Sequence, residues 1–186
     1  LGRVILEGDV GGIRKALAGG AAVNGKGSHG LTPLHLSLLS FQIESFRTLL
    51  SEGANPNLSA DNGDAVMSLA ALMPEPSWLE LAIDRGGDAD FPDRRGRTPL
   101  MIAARHGRVE NVRLLVSKGA SLNAIDRHGE TALIHTFQAF KPSLAIARLL
   151  IAAGADPEKA NVAGFKARDF AETYGDAGFL TVFPSP

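Results

Sequence analysis

The chain has 186 residues, of which 19 are Lys or Arg and 20 are Asp or Glu, for a formal net charge of −1. This balance argues against a uniformly basic nucleic-acid-binding protein and against a uniformly acidic one. Hydrophobic residues make up 45% and there is no cysteine, so the composition is that of a globular protein without disulfides, cysteine-ligated metals or thiol catalysis.

Glycines recur along the chain with a period of 33 residues. One series consists of Gly30, Gly63, Gly96 and Gly129, and Gly164 follows after 35 residues. A second series consists of Gly20, Gly53, Gly86, Gly119 and Gly154, and its last step is again 35 residues. Because both series share this shift, they predict a repeat with one two-residue insertion between Gly129 and Gly154.

Each repeat carries signals for the start and the end of a helix. Thr32 and Thr98 occupy N-cap positions, and each is followed by a proline at the first helical position. A second, amphipathic stretch in each unit ends in Gly-Ala, as at Gly53, where glycine can close a helix in the left-handed conformation. The pattern predicts two helices per unit, and each pair can bury its apolar face only against neighbouring pairs.

The Thr-Pro-Leu-His motif, the 33-residue period and the Gly-Ala-x-x-Asn loop resemble ankyrin repeats over essentially the whole chain. The resemblance implies an all-α ankyrin-repeat solenoid of helix-turn-helix units joined by hairpin-like loops. We expect a single domain, residues 1–186, and the alanine-, glycine- and arginine-rich, cysteine-free sequence looks bacterial. In register, the units are expected at residues 1–29 (an N-terminal cap), 30–62, 63–95, 96–128, 129–163 (with the insertion) and 164–186 (a C-terminal cap ending in Phe183-Pro184-Ser185-Pro186).

The unit that begins at Gly63 departs most from the pattern. Ala-Val-Met-Ser replaces Thr-Pro-Leu-His at residues 65–68, and two prolines precede Trp78. We expect this unit to be the least regular, with a shortened first helix, and Trp78 to pack against the adjacent unit. For Phe140, which lies in the insertion, a plug over the local core and an exposed partner contact are equally compatible with the sequence.

Motifs for catalysis or metal binding are weak. Residues 20–30 contain two glycine patterns typical of nucleotide-binding loops, but the repeat already accounts for these glycines. No histidine pair has the spacing of a zinc site, and no sequence motif joins a nucleophile to a base. We therefore expect no enzyme activity, no cofactor and no metal.

The five histidines fall at different positions of the repeat. His35 is in the Thr-Pro-Leu-His motif, where the resemblance implies that the imidazole braces the loops of adjacent repeats. His135 lies one position beyond the equivalent of His35, in the unit with the insertion. The remaining three, His29, His106 and His128, lie beside glycines and suit exposed loops.

The resemblance also implies a protein-interaction module whose partner docks on the concave face, made of loop tips and the outward side of each first helix. Arginine pairs with carboxylates through two parallel hydrogen bonds, so we expect the partner to have an acidic surface. The alternative is that these arginines are ordinary solvent-exposed side chains. The basic residues that the register places on this face are Arg94, Arg95, Arg97, Arg105, His106, Arg127 and His128, and the apolar anchor beside them is Leu39, Leu72 and Met73.

The near-neutral total conceals two adjacent segments of opposite sign. Residues 64–96 hold three basic and seven acidic residues, a net charge of −4. Residues 97–129 hold six basic and two acidic residues, a net charge of +4. The charge pattern thus predicts a local basic face on a neutral protein.

The sequence favours a non-catalytic protein-binding module that is monomeric when free. One alternative is a bacterial immunity protein that neutralises a cognate secreted toxin. A second is phosphate or nucleic-acid binding through the arginines, which the neighbouring aspartates disfavour, and a third is a structural fragment of a larger protein. No membrane association is expected because no apolar run reaches about 18 residues. A cytoplasmic location is favoured, and a periplasmic one would follow if a signal peptide had preceded Leu1.

Overall fold

The computed structural model describes residues 1–174 and 177–183, and the chain divides into two compact units, Leu1–Arg94 and Arg95–Pro186. Apart from one isolated β-bridge between Ser59 and Ala65, the regular elements in these described residues are helices. In each compact unit the described elements are all-α, with the helices in successive pairs, as the sequence pattern predicts. None of the described helices is long and apolar enough to cross a membrane.

The first unit consists of three helix pairs. The first helix of each pair packs on the first helix of the next pair, and the second helices do the same. Leu34, Phe46 and Met67 are completely or almost completely buried between these two rows. The α-helices of this unit are α1 (Gly2–Leu6), α2 (Val10–Ala18), α3 (Pro33–Leu39), α4 (Ile43–Ser51), α5 (Val66–Leu72) and α6 (Ser77–Asp84), and a short 3₁₀ turn spans Ser28–Gly30.

The second unit repeats this arrangement in its described residues. Leu100, Leu115 and Leu133 form part of its core, and each is completely buried. The predicted cap, residues 164–186, is described up to Phe183 except for Gly175 and Asp176, and Pro184, Ser185 and Pro186 lie outside the described residues. The α-helices are α7 (Pro99–Arg105), α8 (Val109–Ser117), α9 (Ala132–Phe137), α10 (Leu144–Ala152), α11 (Ala167–Glu172) and α12 (Ala177–Leu180).

The predicted helix signals operate as expected. Thr32 and Thr98 are the N-caps of α3 and α7, with proline at the first helical position. Thr131 caps α9, and its Oγ1 accepts a hydrogen bond from the backbone N–H of Ile134 at 3.3 Å. Gly53, after the end of α4, has a φ of 86°, the left-handed conformation that glycine adopts without a steric penalty.

The repeat that begins at Gly63 differs from its prediction. Its first helix, α5, has seven residues, the same length as α3, so the expected shortening is wrong. Although Ala65 supplies no capping side chain, the N–H of Val66 donates to the carbonyl of Leu58 at 3.0 Å, and Val66 and Met67 anchor the helix by burial. The irregularity lies instead in the segment that connects α5 to α6. This segment starts at Met73, whose backbone is extended.

Two aromatic residues that the sequence singled out differ in burial. Trp78, in the first turn of α6, is 5% exposed, and its ring centroid lies 5.4 Å from that of Phe46 in the preceding helix pair. This confirms the expected packing of Trp78 against the adjacent repeat. Phe140, in the inserted turn between α9 and α10, is fully exposed, which favours the contact alternative over the plug.

Candidate functional site

The predicted contact residues are divided between the two compact units. Arg94 is the last residue of the first unit, and the other six basic residues belong to the second. Arg97 and Arg105 are half-buried, whereas the remaining basic residues, Arg94, Arg95, His106, Arg127 and His128, are exposed.

The apolar anchor predicted in the first unit is only partly on the surface. Leu39 is 54% exposed and Leu72 is half-buried. Met73 is only 7% exposed, so its side chain offers almost no surface to a partner. The helical register placed Met73 beside Leu72, but the backbone leaves the helix at Met73 with φ −58° and ψ 146°, so that register no longer applies.

In the second unit, three of the arginines line one polar cleft of about 280 Å³. Arg97 directly precedes the N-cap of α7, and Arg105 is the last residue of that helix. The loop that precedes α9 is tied to the loop of Arg95, because the backbone N–H of Arg127 donates to the carbonyl of Arg95 at 3.1 Å. We call this cleft the basic cleft. The residues that line it are Arg95, Arg97, Arg105, Asp126, His128, Glu130, His135 and Gln138.

Asp126 is the buried carboxylate of the basic cleft. Its Oδ1 accepts hydrogen bonds from the backbone N–H groups of His128 and Glu130 at 2.8 and 3.0 Å. Its Oδ2 accepts a hydrogen bond from His135 Nε2 at 3.0 Å. Burial would raise the pKa of Asp126, but the hydrogen bonds from Glu130, His128 and His135 together hold it below its usual value. The carboxylate is therefore ionised at neutral pH.

His135 is uncharged at neutral pH, because its pKa is lowered, and its tautomer is fixed by its neighbours. Burial lowers the pKa of His135, and the charge of Arg105 lowers it further, against the opposing effect of Asp126 and Glu130. Since Nε2–H donates to Asp126, the lone pair of the neutral ring is on Nδ1. Arg105 Nη1 lies 3.4 Å from that nitrogen and can donate to it. The imidazole thus connects a carboxylate on one side to a guanidinium on the other.

A second chain of hydrogen bonds holds Arg105 in place. Arg105 Nη1 donates to Gln138 Oε1 at 3.1 Å, and Gln138 Nε2 donates to Glu130 Oε1. Glu130 Oε1 also accepts from Asn161 Nδ2 at 3.4 Å. Because Nη1 of the half-buried guanidinium contacts both Gln138 and His135, its charge occupies a fixed position on the wall of the basic cleft.

Asp126, Glu130 and His135 have the residue types and the proximity of a metal site, with one potential ligand atom from each lying within 4.8 Å of the others. A metal would require the lone pair of His135 Nε2, which would move the ring proton to Nδ1. That proton would then face the N–H groups and the positive charge of Arg105, 3.4 Å away. The donor set therefore fits a hydrogen-bond network better than a metal ion.

A second cleft, of about 420 Å³, shares Arg105 and Gln138 with the basic cleft. We call it the insertion cleft, because the inserted turn forms one of its walls. Burial lowers the pKa of His106 in this cleft, and the charges of Arg105, Arg108 and Arg97 lower it further. The residues that line the insertion cleft are Arg105, His106, Gln138, Ala139, Phe140 and Lys141.

The structural role expected of His35 is confirmed. The side chain is completely buried, its Nδ1 lies 2.7 Å from Thr32 Oγ1, and its Nε2 donates to the carbonyl of Asp64 at 3.0 Å. This last bond joins α3 to the loop of the following repeat. The other histidines for which loop exposure was expected, His29, His106 and His128, are exposed.

The sequence reasoning missed the Asp126–His135–Arg105 network. The sequence identified His135 only as lying one position beyond the equivalent of His35, and it did not single out Asp126. Asp126 lies near the end of one predicted repeat, and Glu130 and His135 lie near the start of the next. The available signal was this group of polar residues together with an arginine 30 residues before His135, at the end of the preceding first helix. Such a signal becomes specific only when the rotation of α9 is known.

Comparisons with known proteins agree with this architecture. The family model described as "Ankyrin repeats (3 copies)" matches residues 65–161, and the one described as "Ankyrin repeat" matches residues 29–61. A comparison with curated proteins finds no match.

Three similar solved structures contain ankyrin repeats. EF0377, described as an ankyrin repeat protein, is 24% identical with a TM-score of 0.89, and the match covers 97% of this chain and 94% of that one. An ankyrin repeat domain from Acinetobacter baumannii AYE is 25% identical with a TM-score of 0.90, covering 97% and 94%. The ankyrin repeat domain of Bcl-3, described as a unique member of the IkappaB protein family, is 25% identical with a TM-score of 0.87, covering 97% and 83%.

Proposed function

The chain belongs to the ankyrin repeat family, and from that premise we propose that it is a non-catalytic module whose basic cleft binds an acidic surface of a partner protein. Ankyrin repeats are in general protein-interaction modules, which is the coarser part of this proposal. The finer part is the chemistry of the partner and the residues that meet it.

The convergence of three arginines on one cleft carries this proposal. The two carboxylates of the basic cleft accept hydrogen bonds within it, Asp126 from the backbone and His135, and Glu130 from Gln138. Three guanidinium charges against two carboxylates leave the cleft net positive. A carboxylate from a partner would offset this net positive charge, and arginine is the side chain best suited to pair with it in a partly desolvated site.

The remaining predicted contacts are part of the same proposal. His128 lines the basic cleft, and the exposed Arg127 precedes it in the loop before α9. Arg94, Leu39 and Leu72, in the first unit, are proposed as additional contacts. We propose that the free protein is a monomer, which size-exclusion chromatography with light scattering tests directly.

The test is charge reversal of the cleft. A partner captured with the wild-type protein and identified by mass spectrometry is titrated against the variant Arg95→Glu/Arg97→Glu. We expect affinity to fall at least about ten-fold, equivalent to about 1.4 kcal/mol. The matched control is Arg113→Glu, on α8 of the same unit, where the arginine lies 3.4 Å from Glu110 at an exposed position. Equal affinity of all three proteins would refute the assignment of the basic cleft.

A secreted bacterial toxin is one partner class that would fit, and the similarity to a domain from Acinetobacter baumannii AYE favours a bacterial setting. Under this alternative the protein is an immunity protein. Co-expression with the product of a neighbouring gene that inhibits growth tests it, since only a cognate immunity protein restores growth.

Binding of phosphate or nucleic acid through the arginines is the other alternative. Asp126 and Glu130 line the same cleft, and they would repel the successive phosphates of a nucleic-acid strand more than a single carboxylate of a protein partner. Phosphate binding would also weaken steeply with salt, so a titration of a single-stranded oligonucleotide at increasing salt separates it from the leading proposal.

A further inference from the structure

The inserted turn places a large apolar side chain in solvent. The turn follows Phe137, the last residue of α9, and ends at Ser143, the N-cap of α10. Phe140, near its middle, is fully exposed. A single exposed hydrophobic residue needs no explanation by itself, so the role of Phe140 depends on the residues that surround it.

The surroundings of Phe140 are cationic. The insertion cleft has Arg105 and His106 on the side of α7, and Ala139, Phe140 and Lys141 on the side of the inserted turn. Among the residues that the structure describes, none that lines this cleft is a carboxylate. Phe140 thus stands beside two permanent positive charges, at a cleft large enough for one or two side chains.

Arg105 is positioned for recognition before any partner arrives. Its guanidinium is held by Gln138 at 3.1 Å and faces His135 Nδ1 at 3.4 Å. Gln138 is the first residue after α9, so this hydrogen bond ties the end of α7 to the start of the inserted turn. A pre-positioned guanidinium loses less conformational entropy on binding a carboxylate than a mobile one.

We propose that the insertion cleft binds an acidic peptide segment of the partner in which an apolar side chain adjoins the carboxylates. The apolar side chain packs on the face of Phe140, and the carboxylates pair with Arg105 and Lys141. This inference rests on the proposed function and specifies it, because it assigns an aromatic anchor and a linear acidic-apolar segment to the partner.

A nucleic acid could also use an aromatic ring beside cations, but it fits less well. Arg105 is shared with the basic cleft, where Asp126 and Glu130 would face the next phosphates of a continuing strand. A peptide can place carboxylates at Arg105 and Lys141 only, and it need not carry negative charge beyond them.

The test uses a phage-displayed random peptide library selected on the wild-type protein. We expect enriched peptides in which aspartate or glutamate flanks a leucine or an aromatic residue. Their synthetic versions, titrated by fluorescence anisotropy, should bind Phe140→Ala and Lys141→Glu at least about ten-fold more weakly than the wild type. The matched control is Phe41→Ala, which removes another exposed phenylalanine between the two helices of a pair and should leave the affinity unchanged.

Three outcomes would overturn the inference. One is selected peptides without an acidic-apolar pattern, and another is undiminished binding of the selected peptides by both Phe140→Ala and Lys141→Glu. The third is tight binding of a labelled single-stranded oligonucleotide that is lost in Phe140→Ala. If Arg95→Glu/Arg97→Glu weakens partner binding while Phe140→Ala does not, the assignment of the insertion cleft as a binding site is wrong and the proposed function stands. If neither change weakens it, both are wrong.

Discussion

His135 Nε2 lies 3.0 Å from Asp126 Oδ2, and both side chains are 2% exposed. This bond links α9 to the loop that precedes it. A buried carboxylate is tolerated only when hydrogen bonds replace its hydration, and Asp126 receives one from His135 and two from the backbone. The order of the loop that carries Arg127 and His128 therefore depends on the same network that orients Arg105.

The first prediction concerns the variant Asp126→Asn. Its side-chain oxygen can still accept the two backbone N–H groups, as the amide oxygen of Asn161 does in the next repeat. Its NH₂ group, however, would face the N–H of His135 Nε2. We expect the free energy of unfolding, measured with urea, to fall by about 2 kcal/mol.

A double-mutant cycle separates this donor–donor conflict from a general effect of the substitution. In a His135→Leu background the conflict is absent. Asp126→Asn should therefore lower the free energy of unfolding by at least about 1 kcal/mol less than it does in the wild type. Equal costs in the two backgrounds would mean that the two side chains are not coupled.

The second prediction concerns pH. Burial lowers the pKa of both His35 and His135 below the unfolded value of 6.5. In the window between the folded and the unfolded pKa, the unfolded chain binds more protons, so the free energy of unfolding falls as pH falls below about 6.5. The depressed pKa of Asp126 adds a further loss only in more acidic solution, as pH falls through its folded pKa.

Urea unfolding between about pH 7.5 and about pH 5.5 measures this slope. His135→Gln and His35→Gln should each flatten it, and the double variant should flatten it most. A double variant that keeps the wild-type slope would show that these two histidines do not cause the dependence.

Features that depend on local backbone chemistry could be predicted from the sequence. The threonine caps of α3 and α7 follow from side chains that satisfy the first backbone N–H groups of a helix. The left-handed glycines follow from the absence of a Cβ. Neither requires knowledge of distant residues, and both were located correctly.

Features that depend on side-chain direction across repeats could not be predicted. Met73 is one residue beyond the outward-facing Leu72, and the end of α5 at that point turns it into the core. Arg105 was predicted as a contact, but its hydrogen bonds with Gln138 and its proximity to His135 depend on how α7 and α9 pack. Sequence spacing fixes neither the packing nor the rotamers.

The third prediction compares two glycines with the same backbone conformation. Gly53 and Gly63 both have a φ of 86°, but a Cβ on Gly53 would meet nothing within 4 Å, whereas one on Gly63 would overlap the Cβ of Arg94. Gly53→Ala should lower the free energy of unfolding by about 1 kcal/mol, because alanine must adopt the left-handed conformation. Gly63→Ala should cost about 1–3 kcal/mol more because of the overlap. Equal urea midpoints for the two variants would contradict the close approach of Arg94.

The fourth prediction contrasts two phenylalanines three positions apart. Phe137 is 1% exposed, and its ring centroid lies 5.6 Å from that of Phe179 and 5.7 Å from that of Phe183. Phe137→Ala should therefore lower the free energy of unfolding by about 3–5 kcal/mol. Phe140→Ala should change it by less than about 0.5 kcal/mol, because the ring is in solvent. Thermal and urea unfolding measure both. A loss above about 1 kcal/mol for Phe140→Ala would place its ring in the core and remove it from any partner contact.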